Sequence, residues 1–102
     1  MIKGTIWTRS IAGREAMLNY IIDRYLMNGH KINSICGNPG MWVTFDNGDR
    51  WETERPCDSR RGVACNIALI DVAIDEETVH NIILPTVKCS GIRHYEYFYA
   101  KE

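Results

Sequence analysis

The feature that most restricts the fold of this chain is a short apolar run, Ile67-Ala68-Leu69-Ile70, which ends in Asp71. Such a run, bounded by turn-forming sequence, is typical of a strand that is buried on both faces, as the central strands of parallel sheets are. An aspartate at the end of this strand would lie at the edge where open α/β sheets bind their ligands. The run therefore predicts an α/β fold, and it makes Asp71 a candidate metal-binding or ligand-binding residue.

Length and composition limit the classes of function. The chain has 102 residues, of which 45% are apolar and 25% are charged, as expected of one soluble globular domain over residues 1–102. Its net charge of -1 gives no overall attraction to nucleic acid or to an anionic membrane. No apolar run approaches the roughly 20 residues of a membrane span, and the N-terminus lacks the features of a secretion signal. We therefore expect a cytoplasmic protein without a membrane partner.

The cysteines indicate buried positions rather than a metal site. The chain contains four of them, all too far apart for a C-x-x-C pair: Cys36, Cys57, Cys65 and Cys89. Structural zinc sites nearly always use closely spaced pairs, whereas a free cysteine in apolar sequence behaves as a small hydrophobic residue. Zinc binding together with His80 or His94 is the alternative. Disulfides are expected least, because they rarely persist in a reducing compartment.

The first part of the sequence predicts a strand, a helix and a second strand. Residues 2–8 are β-prone and form the first strand. Ser10 then caps a helix whose apolar residues recur at steps of three and four, and this helix ends at Asn28-Gly29. Residues 31–36 form the next strand after a very short loop.

A β-hairpin follows over residues 41–54. A two-residue loop would set two aspartates opposite each other, which is unfavourable for like charges. A three-residue loop, with Gly48 in the left-handed conformation, instead pairs Val43 with Trp51, and we predict this register. We expect the acidic residues of the hairpin to form its solvated face and tip rather than a metal cluster: Asp46, Asp49, Glu52 and Glu54.

The second part predicts a polar loop, the buried strand, a second helix and a last strand. The loop spans 55–62, and its arginines are Arg55, Arg60 and Arg61. Asp75 caps the second helix, and Pro85 stops it near Leu84. The aromatic-rich residues 92–100 form the final strand.

These elements, in the order β-α-β-β-β-β-α-β, predict a single domain of the α/β class. Helical connections return the chain to parallel strands, and the hairpin adds an antiparallel excursion. We expect a small three-layer-like domain with a mostly parallel central sheet, two helices and an antiparallel β-hairpin.

Several segments of the second part, each weak on its own, together occur in an order and spacing that point to one family. They are Phe45-Asp46-Asn47-Gly48, Ser59-Arg60-Arg61-Gly62, the apolar strand ending in Asp71, Leu84-Pro85, and a strand from Ile92. Their order and spacing resemble the ATPase core of phage large terminase subunits, the motors that package DNA. That family has an aromatic-x-Asn-Gly hairpin, a Ser-x-Arg-Gly loop, an apolar strand ending in Asp-Glu, and a helix leading to Leu-Pro. The resemblance implies a P-loop-type fold, in which the first strand, turn and helix hold the place of the phosphate-binding loop.

The residues that such a core would need for ATP hydrolysis are replaced here. A phosphate-binding loop requires G-x-x-x-x-G-K-[ST], with glycines to wrap the phosphates, a lysine for charge and a hydroxyl for Mg²⁺. The corresponding stretch retains Gly13 but has Arg14 in the place of the lysine and Glu15 in the place of the hydroxyl. Val72 follows Asp71, where the family has the acidic residue that activates water. We therefore expect no ATP turnover and no cofactor.

The first hypothesis is a non-catalytic phage or mobile-element protein with a reduced P-loop-ATPase-like core, located in the host cytoplasm. It would act by binding a protein partner, such as a related packaging motor, or by binding nucleic acid. The candidate binding residues are arginines: Arg9, Arg55, Arg60 and Arg61. Ordinary solvated loop charges are the alternative interpretation of these side chains.

The second hypothesis is a residual nucleotide-binding protein. Gly13 and Arg14 would meet the phosphates of Mg-ATP at a helix N-terminus, and Asp71 would hold Mg²⁺ through the preference of this ion for oxygen ligands. Glu15 weakens this hypothesis, because it would place a carboxylate beside the phosphates.

Two further features bear on function. The histidines fall in different elements and match no catalytic motif, which disfavours a small enzyme of another kind: His30, His80 and His94. Tyr95, Tyr97 and Tyr99 share one face of the last strand, where they would pack on a partner or a helix, or stack on bases. The small core and the edge strands of the predicted sheet also favour self-association.

Overall fold

The computed structural model describes residues 2–36, 42–56, 65–87 and 94–99. Its strands are β1 (Lys3–Trp7), β2 (Ile32–Cys36), β3 (Trp42–Phe45), β4 (Arg50–Glu54), β5 (Ile67–Asp71) and β6 (His94–Phe98). The first helix, α1, is Ile11–Met27. The second helical segment, α2, joins an α-helical turn (Glu76–Thr78), a π-helical turn (Val79–Ile83) and a 3-10 turn (Leu84–Thr86). The predicted order of elements is confirmed.

The six described strands form one sheet in the order β2-β3-β4-β1-β5-β6. β1 lies inside the sheet and pairs in parallel with β4 and β5, and β5 pairs in parallel with β6. β3 runs antiparallel to both of its neighbours. The structure thus has the predicted fold class, an α/β domain with a mostly parallel sheet, two helices and an antiparallel hairpin. Neither described helix is long and apolar enough to span a membrane.

Local signals in the sequence determine where α1 begins and ends. Ser10 has an extended backbone, and its side chain accepts a hydrogen bond from the Gly13 amide, as an N-cap does. Asn28 closes the last turn, and Gly29 follows with a φ of 85°, which glycine adopts without steric cost. α1 packs on one face of the sheet. The buried side chains on that face form one core cluster: Ile6, Leu18, Ile21, Ile22, Val43, Phe45 and Trp51.

The hairpin has the predicted register. Val43 pairs with Trp51, and Gly48 takes the left-handed conformation with a φ of 89°. Trp51 also lies opposite Gly4 of β1, and its ring occupies the space that a side chain on Gly4 would need. The close approach of a large aromatic ring therefore explains why a glycine lies inside a central strand.

α2 packs on the opposite face of the sheet. Asp75 caps it, as predicted, by accepting hydrogen bonds from the Thr78 amide and hydroxyl at 3.0 and 2.7 Å. The α- and π-helical part ends at Ile83 with Leu84 as its C-cap, as predicted, and Pro85 lies at the start of the 3-10 turn that follows, where its missing N–H costs no hydrogen bond. The buried side chains on this face form a second core cluster: Trp7, Cys65, Ala68, Ile70, Ile74, Val79, Ile83, Leu84 and Val87.

The predicted core position is confirmed for one cysteine. Cys65 is buried, and its Sγ lies 3.8 Å from the Thr86 hydroxyl. Cys36 is half-buried at the end of β2, whereas Cys57 and Cys89 lie outside the described residues. Within the described ranges, no three His, Cys, Asp or Glu side chains are grouped so that they could hold a metal ion.

The acidic residues of the hairpin do not all lie on a solvated face, and the prediction is wrong for Asp49. Asp49 is only 6% exposed, and its carboxylate accepts hydrogen bonds from the Ile2 amide and the Tyr25 hydroxyl. The side chain of Glu52 is 16% exposed and lies between two basic side chains, whereas Asp46 is exposed as predicted. Asp49 turns inward because the Ile2 amide and the Tyr25 hydroxyl donate to it from outside the hairpin, in addition to the Asn47 side-chain amide within the hairpin loop. Local sequence does not reveal the two distant donors.

Candidate functional site at the carboxyl edge of the sheet

The parallel strands β1, β4 and β5 end at the same edge of the sheet, where the sequence predicts a ligand. Asp71 ends β5 and is 4% exposed. The hydroxyl of Thr8, which directly follows β1, donates a hydrogen bond to Asp71 Oδ2 at 2.7 Å, and the Ala73 amide donates to Asp71 Oδ1 at 2.9 Å. Both carboxylate oxygens of Asp71 therefore have protein donors, and the bond from Thr8 ties the ends of two neighbouring strands together.

Only Thr8, Arg9 and Ser10 connect β1 to α1. The Thr8 hydroxyl accepts a further hydrogen bond from the Ser10 amide at 3.0 Å. Ser10 in turn accepts two hydrogen bonds from the first helical turn. Its Oγ accepts from the Gly13 amide and its carbonyl oxygen accepts from the Arg14 amide, both at 3.0 Å. The main-chain donors of both predicted phosphate-binding residues are thus engaged within the helix.

The structure describes three of the predicted site arginines. Arg9 follows β1, Arg55 follows the adjacent parallel strand β4, and both side chains are exposed. Arg14 is half-buried in the first turn of α1, and its Nε has no hydrogen-bond partner among the described residues. The remaining two predicted arginines lie outside the described residues: Arg60 and Arg61.

Acidic side chains offset the arginines at this edge. Asp75 caps α2, and Glu76 and Glu77 follow it on the exposed first turn. Hydrogen bonds from the Thr78 hydroxyl and amide hold the pKa of Asp75 below its ordinary value, and the positive charge of Arg9 acts in the same direction. The described part of the edge therefore carries both signs of charge.

Sequence reasoning identifies Asp71 but not its partner. Thr8 and Asp71 are 63 positions apart, and their contact depends on β1 lying beside β5. A usable signal exists nonetheless, because a hydroxyl directly after one apolar strand and a carboxylate at the end of another can meet at the carboxyl edge of a parallel sheet.

No protein-family model and no curated protein matches this sequence. Among solved structures, the chain is similar to the large terminase of a thermophilic bacteriophage, with a TM-score of 0.65 over 94% of this chain. The fold is terminase-like. Sequence identity is 11%, and the match covers 26% of the terminase, so this chain spans about a quarter of the length of that protein. The likeness confirms the predicted resemblance at the level of the terminase-like fold.

Proposed function

We propose that this protein is a non-catalytic binding module of a phage or mobile element, and that it acts by binding a protein partner of the packaging machinery. The observation that carries the proposal is the three-residue connection between β1 and α1 on a terminase-like fold. Thr8 and Asp71 close this connection with a hydrogen bond between buried side chains.

The chemistry of phosphate binding supports a role without nucleotide. A G-x-x-x-x-G-K-[ST] loop wraps phosphates with main-chain N–H groups that must be free to donate. In this chain the amides of Gly13 and Arg14 donate to Ser10, and the Asp71 carboxylate accepts from Thr8 and an amide. A Mg-nucleotide bound through these amides and this carboxylate would have to compete with the hydrogen bonds already present.

The charges at the carboxyl edge favour a protein partner over nucleic acid. Arg9 and Arg55 are exposed there, and the acidic first turn of α2 lies at the same edge. A nucleic-acid backbone binds best to a surface with an excess of positive charge, whereas a protein surface can complement a surface of mixed charge. The chain as a whole has a net charge of -1, which gives no such excess.

The test is capture of a partner from a lysate of host cells that carry the phage or mobile element. The immobilised proteins are the wild type, Arg9→Ala with Arg55→Ala, and Arg60→Ala with Arg61→Ala. We expect both double variants to lose the captured protein, because each removes two charges that the proposal assigns to the interface.

Arg24→Ala with Lys31→Ala is the matched control, since it removes two exposed positive charges near the other end of α1. Capture should be unchanged in this control. If all of the proteins capture the partner equally, the arginines do not contribute to binding and this assignment is wrong. Binding of DNA fragments that falls steeply with salt would favour nucleic acid as the partner instead.

Residual nucleotide binding through Gly13, Arg14 and Asp71 is the second candidate function. The observation in its favour is the half-buried Arg14, whose Nε has no partner among the described residues and which lies in a first helical turn, where anions bind. Mg-ATP or Mg-GTP at about 100 times its dissociation constant would stabilise the fold by about 2.7 kcal/mol. We expect no change in Tm with either nucleotide. An increase that Arg14→Ala abolishes would favour this candidate over the first.

A further inference from the structure

The last strand of the sheet, β6, has no described strand on one of its two sides. It pairs with β5 through all 5 of its residues in a regular register, and no other described strand lies beside it. The strand at the opposite edge, β2, has a register shift between Ile32 and Ser34, and such irregularities hinder pairing between sheet edges. β6 also contains no proline or lysine, which commonly block exposed edges. β6 is therefore the edge better suited to pair with another strand.

The main chain of β6 presents hydrogen-bonding groups on the side away from β5. The Phe98 carbonyl accepts a hydrogen bond from the Val72 amide at 2.9 Å, so Phe98 directs its main-chain groups toward β5. Successive residues of a strand alternate in this direction. Tyr95 and Tyr97 thus direct their N–H and C=O groups away from β5, and a row of such groups is a template for a further strand.

We propose that two copies of this chain associate through β6, with the two strands antiparallel across a twofold axis. A closed dimer built from one kind of edge uses the same residues on both copies, which requires the twofold axis. The product is one sheet that continues from one copy into the other. This association uses none of the residues at the carboxyl edge, and so it stands apart from the proposed function.

Complementarity between opposing side chains selects the register of the two strands. An axis at Glu96 would set the two Glu96 side chains directly opposite each other, which is unfavourable. An axis at Tyr97 would set Glu96 opposite Phe98 and would pair no charges. An axis at Tyr95 sets His94 of each copy opposite Glu96 of the other, where the imidazole N–H can donate a hydrogen bond to the carboxylate, and the pair occurs twice because of the symmetry. The axis therefore lies at Tyr95.

Two exposed tyrosines reinforce this register. Tyr95 and Tyr97 are 39% and 52% exposed, and their rings meet edge to face with centroids 6.0 Å apart. Both lie on the face of the sheet that carries α2, since their partners in β5 are Ala68 and Ile70. With the axis at Tyr95, the two Tyr95 side chains become neighbours, and pairing shields aromatic surface of both copies from water.

Sedimentation equilibrium of the full chain over a range of concentrations tests the proposal. We expect the wild type to dimerise with rising concentration. Glu96→Lys removes the carboxylate acceptor from both His94–Glu96 pairs, so the dimer dissociation constant should rise about tenfold or more. His94→Glu combined with Glu96→Lys sets a carboxylate opposite an ammonium group in each pair and should restore dimerisation.

A second variant tests the main-chain pairing independently of charge. Tyr95→Pro removes an N–H that points away from β5, so it should abolish the dimer while the circular dichroism spectrum stays that of the folded wild type. Asn33→Lys on β2 is the matched control at the other edge and should leave the dimer unchanged. The proposal is overturned if the wild type stays monomeric or if the dimer persists in folded Tyr95→Pro. It is also overturned if His94→Glu with Glu96→Lys dimerises no more tightly than Glu96→Lys alone.

Discussion

Asp49 joins three distant parts of the chain at one carboxylate. It accepts hydrogen bonds from the Ile2 amide at 2.8 Å and the Tyr25 hydroxyl at 2.7 Å, and so connects the hairpin with β1 and α1. The Trp51 indole N–H donates to the same hydroxyl at 3.1 Å. Burial raises the pKa of Asp49, but the hydrogen bonds that it accepts outweigh burial and bring the pKa below its ordinary value. Burial first, and then the bond to Asp49, raise the pKa of Tyr25.

Asp49→Asn should destabilise the fold by about 2 kcal/mol near neutral pH, which is typical of a hydrogen bond to a charged group. Because the pKa of Asp49 is lower in the folded state, its stabilisation is fully present above the unfolded value of about 4 and is lost as pH falls through the folded value. Urea unfolding near neutral pH and at about pH 3 measures the difference between wild type and variant, which should shrink in acid.

The control for this measurement is Asp23→Asn, an exposed carboxylate on α1. It should change the free energy of unfolding by less than about 0.5 kcal/mol at either pH. A difference between wild type and Asp49→Asn that does not vary with pH would contradict the assigned role of the carboxylate.

Gly4 is a residue whose identity is set by the size of its neighbour. A Cβ at this position would overlap the ring of Trp51, which is itself buried, with 5% of its surface exposed. Gly4→Ala should therefore cost about 1–3 kcal/mol, the usual range for overpacking. Combined with Trp51→Phe, it should cost less than the sum of the two single changes, because the smaller ring leaves space. Strictly additive costs in chemical denaturation would show that the two positions do not collide.

At the scale of elements, the sequence predicts best the features that depend on neighbours in the chain. Ser10 and Gly29 set the ends of α1, and each acts within a few residues of its own position. The bond between Thr8 and Asp71 spans 63 positions, and the bond that buries Asp49 spans 47. Strand order determines these contacts, and an apolar run does not specify which strand lies beside it. Asp71 is therefore predictable as an edge residue but not as the partner of Thr8.

Ser10→Ala measures how much α1 depends on its cap. The change leaves the Gly13 amide without its side-chain acceptor, and we expect a loss of about 1 kcal/mol in the free energy of unfolding. Ser10→Asp keeps an acceptor at the same position and should retain most of the wild-type stability. Thermal unfolding followed by circular dichroism compares the three proteins. If both variants lose the same free energy of unfolding, a side-chain acceptor at this position is not sufficient, and the serine hydroxyl itself is needed.

The whole molecule consists of two half-cores that share one sheet. Ile6 belongs to the cluster under α1, and the next residue, Trp7, belongs to the cluster under α2. This alternation is a property of any strand, and it makes β1 and β5 contribute to both faces at once. The pattern is visible in the sequence as the uninterrupted apolar run Ile67–Ile70 of β5 and as the adjacent pair Ile6 and Trp7 of β1. Which helix covers which face follows only from the strand order.

Ile70→Ala tests whether the sheet couples the two faces. Ile70 is fully buried against α2, and its truncation should cost about 2–5 kcal/mol. If the half-cores unfold as one unit, amide hydrogen exchange in α1 should lose as much protection as that in β5, although α1 contributes no residue to this cluster. Val72→Ala, next to the same strand but 40% exposed, should leave both sets of amides at wild-type protection. If protection is lost in β5 but retained in α1, the two faces of the sheet open separately. The shared strands would then not couple the two half-cores.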